Sequence, residues 1–136
     1  MLGDKVGVMT GKVIGTRVLN VGHGPKVETT FDVSGEMGGV GTTMMGTYWA
    51  IVQPDGSLYG ECPEQGVLMT ADGGVGTWTA AGRGRFTGDG SGTMFRGAVY
   101  ILTAPASLAH IAHSALIYEW DVDGNQNATG TFWEWK

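Results

Sequence analysis

From Lys26 to Met37 the chain alternates between two kinds of side chain. Val27, Thr29, Phe31 and Val33 fall on one side, and Lys26, Glu28, Thr30, Asp32, Ser34 and Glu36 on the other. A period of two predicts a strand with one dry face and one wet face. Residues 6–19, rich in Val, Ile and Thr and interrupted by Gly7, Gly11 and Gly15, predict a long, bent strand before it. Residues 20–25 form the connecting turn.

The next predicted strand, 40–53, carries large apolar residues on both faces. Met44, Tyr48, Ala50 and Val52 lie on one, and Met45, Trp49 and Ile51 on the other. Pro54-Asp55-Gly56-Ser57 is a turn, with proline presetting φ and glycine supplying positive φ. A fourth strand starts at Leu58, breaks around Pro63 and resumes to Thr70. Strands follow at 75–86, 93–103, 114–122 and 128–135, separated by Asp72-Gly73-Gly74, by the Gly-rich 87–92 segment and by Asp123-Gly124-Asn125. Within 75–86, Trp78, Ala80, Gly82, Gly84 and Phe86 form the face expected to look inward. Val75, Thr77, Thr79, Ala81, Arg83 and Arg85 form the other. Residues 104–113 break the rhythm, and Pro105 followed by Ala106-Ser107-Leu108-Ala109 predicts a short helical turn capping one end.

About eight short strands joined by hairpin turns make one all-β domain spanning 1–136, expected as an antiparallel up-and-down barrel with one short helical cap. Closure removes both sheet edges. Eight strands leave an interior wide enough for packed side chains or one small ligand.

The second half carries a resemblance. Pro54-Asp55-Gly56-Ser57, Gly82-Arg83-Gly84-Arg85-Phe86-Thr87-Gly88, Arg96-Gly97-Ala98 and Phe132-Trp133-Glu134-Trp135-Lys136 resemble the allene-oxide-cyclase-like barrels. That group includes plant allene oxide cyclases, dirigent-like proteins and small bacterial relatives. The resemblance implies an eight-stranded barrel, dimers or trimers, and an apolar cavity. In such members the cavity steers cyclisation or coupling of a hydrophobic molecule without a metal or organic cofactor. It implies no catalytic residue set that maps position by position onto this chain.

Composition narrows the functional classes. The net charge is −5 and the eight Lys and Arg residues are scattered, which argues against a nucleic-acid partner. No basic amphipathic helix or long apolar run points to a membrane partner. A single cysteine, Cys62, excludes an internal disulfide framework and fits a reducing compartment. With no recognisable signal peptide, a cytoplasmic location is expected.

Candidate chemistry is sparse. His110 and His113 share a face if their segment is helical, but two histidines do not close a zinc site, and no metal or other cofactor is expected. At the barrel mouth they would face an entrance closed by Leu108 and Ile111, and so contact a ligand. Asp121–Asn125 fails the calcium-loop pattern, because Gln126 and Phe132 occupy the positions that need Gly and Glu. Cys62 lacks a nearby base to activate it. Glu119, flanked by Tyr118 and Trp120, and Glu134, between Trp133 and Trp135, would have raised pKa values if enclosed by apolar walls. Glu119 with Tyr118 or Tyr48 is the first acid–base candidate set. Trp78, Phe86, Trp120 and Trp133 are candidate ligand contacts.

The leading expectation is a cofactor-free isomerase, cyclase or lyase acting on a small hydrophobic molecule inside the barrel. A non-enzymatic barrel binding the same class is the alternative, and a solid structural barrel the third. The two-sided strand at 40–53 adds an expected homodimer or homotrimer, since symmetric pairing would cover its outer apolar face. A carboxylate or phenol aimed into an interior cavity would discriminate among these readings.

Overall fold

The computed structural model describes residues 2–136. It contains β1 (Leu2–Asn20), β2 (Lys26–Met37), β3 (Val40–Val52), β4 (Leu58–Thr70), β5 (Val75–Thr87), β6 (Gly92–Thr103), a 3-10 turn (Ala106–Leu108) running into α1 (Ala109–Ala112), β7 (Leu116–Val122) and β8 (Asn127–Trp135). Each strand pairs antiparallel with its neighbour in sequence, and β1 pairs with β8, so the sheet closes into a barrel of eight strands. No helix is long and apolar enough to cross a membrane.

The alternation in the sequence becomes inside and outside. Phe31 and Val33 on β2, Met44 on β3 and Leu68 on β4 are buried. They join Phe95 and Val99 on β6, Leu116 and Trp120 on β7 and Phe132 on β8 in one core. On β2 the outward neighbours are charged or polar, as in the Lys12↔Asp32 pair across β1 and β2. Expected irregularities fall where the sequence interrupts the pattern. The β1–β2 register shifts between Val13 and Gly15. The β4–β5 register shifts between Cys62 and Gly66, around Pro63, with Glu64 held at φ 54°. Proline cannot donate to a ladder, so the bulge removes it from the pairing.

The two barrel ends differ. At one end lie the β2–β3 and β4–β5 turns and the β6–β7 connection. Here Leu108 (0% exposed) and Ile111 (2%) plug the interior. Burying each stabilises the fold by about 1.5–3 kcal/mol. His110 Nε2 lies 3.1 Å from the carbonyl oxygen of Gly38, tying the helix to the β2–β3 turn. At the opposite end lie the β1–β2, β3–β4, β5–β6 and β7–β8 hairpins, and no helix covers them.

The outer face of β3 is better covered than its sequence predicts. Lys26 Nζ sits 4.3 Å from the centroid of the Trp49 ring, and Tyr59 packs edge-on against it at 5.8 Å. Met45, Trp49 and Ile51 are therefore only half-buried rather than exposed. A partner over this strand would meet half-buried rather than fully exposed side chains.

Candidate functional site

An inner space and an outer one follow each other along the barrel interior. The inner one, about 60 Å³, is bounded by Phe31, Val33, Met44, Tyr48, Cys62, Trp78, Ala80, Phe95, Val99, Tyr118, Trp120 and Phe132. The outer one, about 200 Å³, is bounded by Val13, Thr16, Val27, Thr29, Ala50, Leu58, Phe86, Ser91, Thr93 and Gln126 at the open end. Tyr48 and Phe95 line both, so they stand between chamber and mouth.

Glycines on β3, β4 and β5 make this interior possible. Trp78 lies flat against the wall. A Cβ on Gly66 would sit 2.0 Å from its Cε2 atom, and one on Gly46 would sit 2.9 Å from its Cη2 atom. Tyr118 does the same further along β5, where a Cβ on Gly82 would meet its hydroxyl oxygen at 2.1 Å. Large rings thus fold onto the wall instead of filling the axis.

An aromatic cluster fixes the chamber. Phe31 packs against Trp120 with ring centroids 4.5 Å apart, and against Tyr48 and Trp78 at 6.0 Å each. Tyr48 meets Phe95 edge-on at 5.9 Å. Trp120 Nε1 donates a hydrogen bond to the Tyr48 hydroxyl oxygen at 3.3 Å. The indole Nε1–H of Trp78 is buried and has no partner among the described residues.

Burial sets the protonation states. Removal from water raises the Tyr48 pKa, only partly offset by its hydrogen bonds with Trp120 and Thr29. Burial likewise raises Tyr118, reinforced by Tyr48, and pushes the Cys62 thiol up to about 11. At neutral pH both phenols and the thiol keep their protons. The chamber offers donors of neutral character.

The predicted site residues divide by strand parity. Tyr48, Tyr118, Trp78 and Trp120 converge on the inner chamber. Phe86 has the inward parity expected, but sits at the rim of the mouth and is 45% exposed. Glu119 does not reach the chamber. It follows the inward Tyr118 and therefore points outward, where Arg96 Nε lies 3.8 Å from its carboxylate. Trp133 is also corrected, because Phe132 takes the inward position on β8 and leaves Trp133 on the outer side. Glu134 accepts a hydrogen bond from the Ser114 hydroxyl at 2.9 Å, at the plugged end.

His110 and His113 lie on the plug, at the opposite end from the open mouth, and both are exposed. Leu108 and Ile111 do close a barrel end as expected, but the histidines flank a sealed end and not an entrance. Among the described residues, no group of three or more His, Cys, Asp or Glu side chains is placed to hold a metal ion.

Sequence reasoning missed Phe31, Phe95 and Cys62 as chamber residues. Phe31 and Phe95 read as ordinary core positions. The available signal was the run of glycines at 60, 66, 82 and 84, which face inward and leave the space that these rings border.

The fold defines the class: a closed, eight-stranded, antiparallel up-and-down barrel. Solved structures share it over nearly the whole chain. A β-barrel-like protein from Acinetobacter baumannii AYE matches with a TM-score of 0.80 at 12% identity, covering 100% of this chain and 96% of its own. A protein of unknown function from Clostridium acetobutylicum ATCC 824 matches at 0.79 and 12% identity, covering 98% of each chain. A conserved protein of unknown function from Rhodopseudomonas palustris matches at 0.78 and 12% identity, covering 99% of each. At such identity the likeness concerns the fold alone. No family model and no curated protein sequence matches the chain.

Proposed function

We propose that this protein is a non-enzymatic binding barrel for a small, largely apolar molecule, taken in through the end opposite the helix. The observation that carries this reading is the chamber wall itself: aromatic faces with two phenols and one thiol, and Glu61 as the one charged residue at its border among the described residues. Apolar walls with few polar groups are the usual make-up of small-molecule sites. The inner space is small, about 60 Å³. A molecule larger than that extends past Tyr48 and Phe95 towards the mouth.

The isomerase, cyclase or lyase reading is supported less well. It needs a base, and its carboxylate candidate, Glu119, lies outside. Glu61 is the one carboxylate residue among the described residues bordering the inner space, and it accepts a hydrogen bond from Tyr59 at 2.6 Å. Phenols with raised pKa values hold their protons and are poor bases at neutral pH. The allene-oxide-cyclase-like resemblance remains part of the proposal only in its apolar ligand. A cytoplasmic, homodimeric or homotrimeric protein is proposed with it. Self-association would bury Met69, Val75, Tyr100 and Leu102, which are 42–62% exposed on the outer wall of β4, β5 and β6.

The test is an NMR titration of isotope-labelled protein with n-butylbenzene. Signals of Trp78, Phe95 and Trp120 should shift, and those of His110 and Glu119 should not. Ala80→Phe, which fills the chamber, should abolish the shifts while a folded spectrum persists. Absence of shifts in the parent protein, or unchanged shifts in the variant, refutes the reading.

A further inference from the structure

The barrel closes only as far as β8 reaches. Pairing of β1 with β8 ends at Lys12↔Asn127, and the last link on that side is the Val13 N–H, which donates to the Gln126 carbonyl oxygen at 3.0 Å. β1 itself continues to Asn20, held by β2 alone through pairs such as Thr16↔Thr29 and Val18↔Val27. Among the described residues no strand lies on the other side of residues 14–20, and every one of them is exposed. Residues on one face of a strand aim their backbone groups at the same neighbour. Val13 and Thr16 both line the outer space, and Val18 shares their face because its partner Val27 lines it too. The amides and carbonyls of Thr16 and Val18 therefore point where β8 would have continued. Open edges are ordinarily guarded by Lys, Pro or an inward charge. This stretch has none of them. Arg17, its one charged residue, is turned to its own hairpin and paired with Glu28 at 3.3 Å. The stretch instead exposes Val18 (68%) and Leu19 (39%).

We propose that the open edge of β1 is a docking site for an extended peptide of a partner protein, which adds a strand beside residues 14–20 and turns alternate apolar side chains into the outer space. In strand addition the main chain supplies affinity, and pockets for alternate side chains supply specificity. The pocket here lies on the correct face. Cross-strand neighbours point the same way, so peptide residues bonded to Thr16 and Val18 face inward, towards Val27, Phe86 and Phe95. A second copy of this chain fits less well. An antiparallel self-pair that engages both Thr16 and Val18 sets Arg17 directly opposite Arg17, and like charges so placed are destabilising. The far lip of the outer space adds a preference of charge. Ser91 and Gln126 border it, and their turns carry the exposed Asp89 and Asp123. Hydrogen bonds from Ser91 and Asn127 hold these two carboxyls below the ordinary carboxylate range, so both are charged at neutral pH. Lys12 offsets Asp123 in part. A strand with Lys or Arg beside its apolar residues complements this lip, on a chain whose net charge is −5. The site uses the outer space and the strand edge, and does not depend on what occupies the inner chamber.

The probe is acetyl-Lys-Val-Thr-Phe-Lys-amide, titrated into the isotope-labelled protein and followed by NMR. Binding should slow hydrogen exchange at the Thr16 and Val18 amides by at least about tenfold. N-methylation of the probe's Val and Phe, whose N–H groups face β1, should weaken binding at least about tenfold, and N-methylation of its Thr, whose N–H faces away, should not. Replacing both of its Lys residues by Glu should weaken binding too. Val18→Pro removes an edge donor and keeps the β1–β2 ladder, because the Val18 N–H points away from β2. It should abolish the protection and leave n-butylbenzene binding unchanged. Ala80→Phe, which fills the chamber, should leave the probe's affinity unchanged, so failure of the chamber reading and failure of the edge site are separable. Absence of binding, unchanged exchange at Thr16 and Val18, equal tolerance of the two methylated probes, or undiminished binding of the Glu probe overturns the proposal. A parent protein that is dimeric by light scattering, with a monomeric Val18→Pro variant, also overturns it, because a second copy then holds the edge.

Discussion

Gly66→Ala is a sharp probe of how the chamber is built. The new methyl group would stand 2.0, 2.1 and 2.6 Å from Cε2, Cδ2 and Cε3 of Trp78. Carbon atoms in contact prefer about 3.5–4.0 Å, so the indole must retreat by roughly 1.5 Å. These are fused-ring atoms and cannot swing aside as a flexible chain end would. Retreat along the wall is limited by Phe31, whose ring centroid is 6.0 Å away. Overpacking of this kind costs about 1–3 kcal/mol, and losing the Trp78 packing altogether costs about 3–5 kcal/mol. Alanine restrains the unfolded chain more than glycine and returns only about 0.4–1 kcal/mol. The expected net loss is about 2–4 kcal/mol, or a fall in melting temperature on the order of 10 °C. Thermal and urea denaturation followed by circular dichroism measure it. A double-mutant cycle with Trp78→Val isolates the cause: the costs of the two changes should fall short of additive by at least about 2 kcal/mol. If Gly66→Ala costs under about 0.5 kcal/mol, or the two costs simply add, Trp78 does not lie on Gly66.

Three other perturbations bear on the same geometry. Tyr48→Phe removes the acceptor of the Trp120 indole and should cost about 1–3 kcal/mol in urea denaturation; unchanged stability would mean that this hydrogen bond contributes nothing. The Cys62 thiol is raised from 9.0 to about 11 in the folded protein, so the unfolded state loses this proton first as pH rises. Its contribution is present below about pH 9 and lost through about pH 11, up to about 2–3 kcal/mol, and Cys62→Ala should flatten that slope relative to the parent protein. Parallel alkaline profiles of the two proteins would refute the shift. Replacing both His110 and His113 by alanine should leave n-butylbenzene affinity within about twofold and cost no more than about 1 kcal/mol, the worth of the contact to Gly38. A large loss of affinity would place the entrance at the helix after all.

The strands were legible because the chain punctuates itself. Alternation from Lys26 to Met37 gave β2 at its observed bounds, and Pro63 marked the bulge that shifts the β4–β5 register. Leu108 and Ile111 were readable as a plug from a segment that follows neither a strand pattern nor a tight turn. The end at which a ligand enters was not readable. A capped end and an entrance look alike in sequence, since both join apolar residues to a break in the strand rhythm. Only the direction of the strands shows that the helix seals one end and the hairpins rim the other.

The chemistry of the interior hung on a one-residue choice of parity. In β7, Leu116, Tyr118, Trp120 and Val122 alternate with Ile117, Glu119 and Asp121. Both sets begin with a large aliphatic residue, so β7 read alone leaves the direction open. Its neighbours decide it. Tyr118 stands opposite Gly97, which stands opposite Gly82, which stands opposite Gly60. A row of glycines across three strands has no side chains of its own and leaves room for one long ring, and the phenol of Tyr118 lies there. Glu119 stands opposite Arg96, whose NH1 also bonds Asp121 at 3.1 Å, so the carboxylates of this strand have their counter-charge on the outer surface. The same step that brings a phenol inside removes a carboxylate, and the one carboxylate left at the border of the inner space among the described residues, Glu61, is engaged by the Tyr59 hydroxyl. A site so composed can hold and orient a molecule, and that is the argument for the binding role we propose.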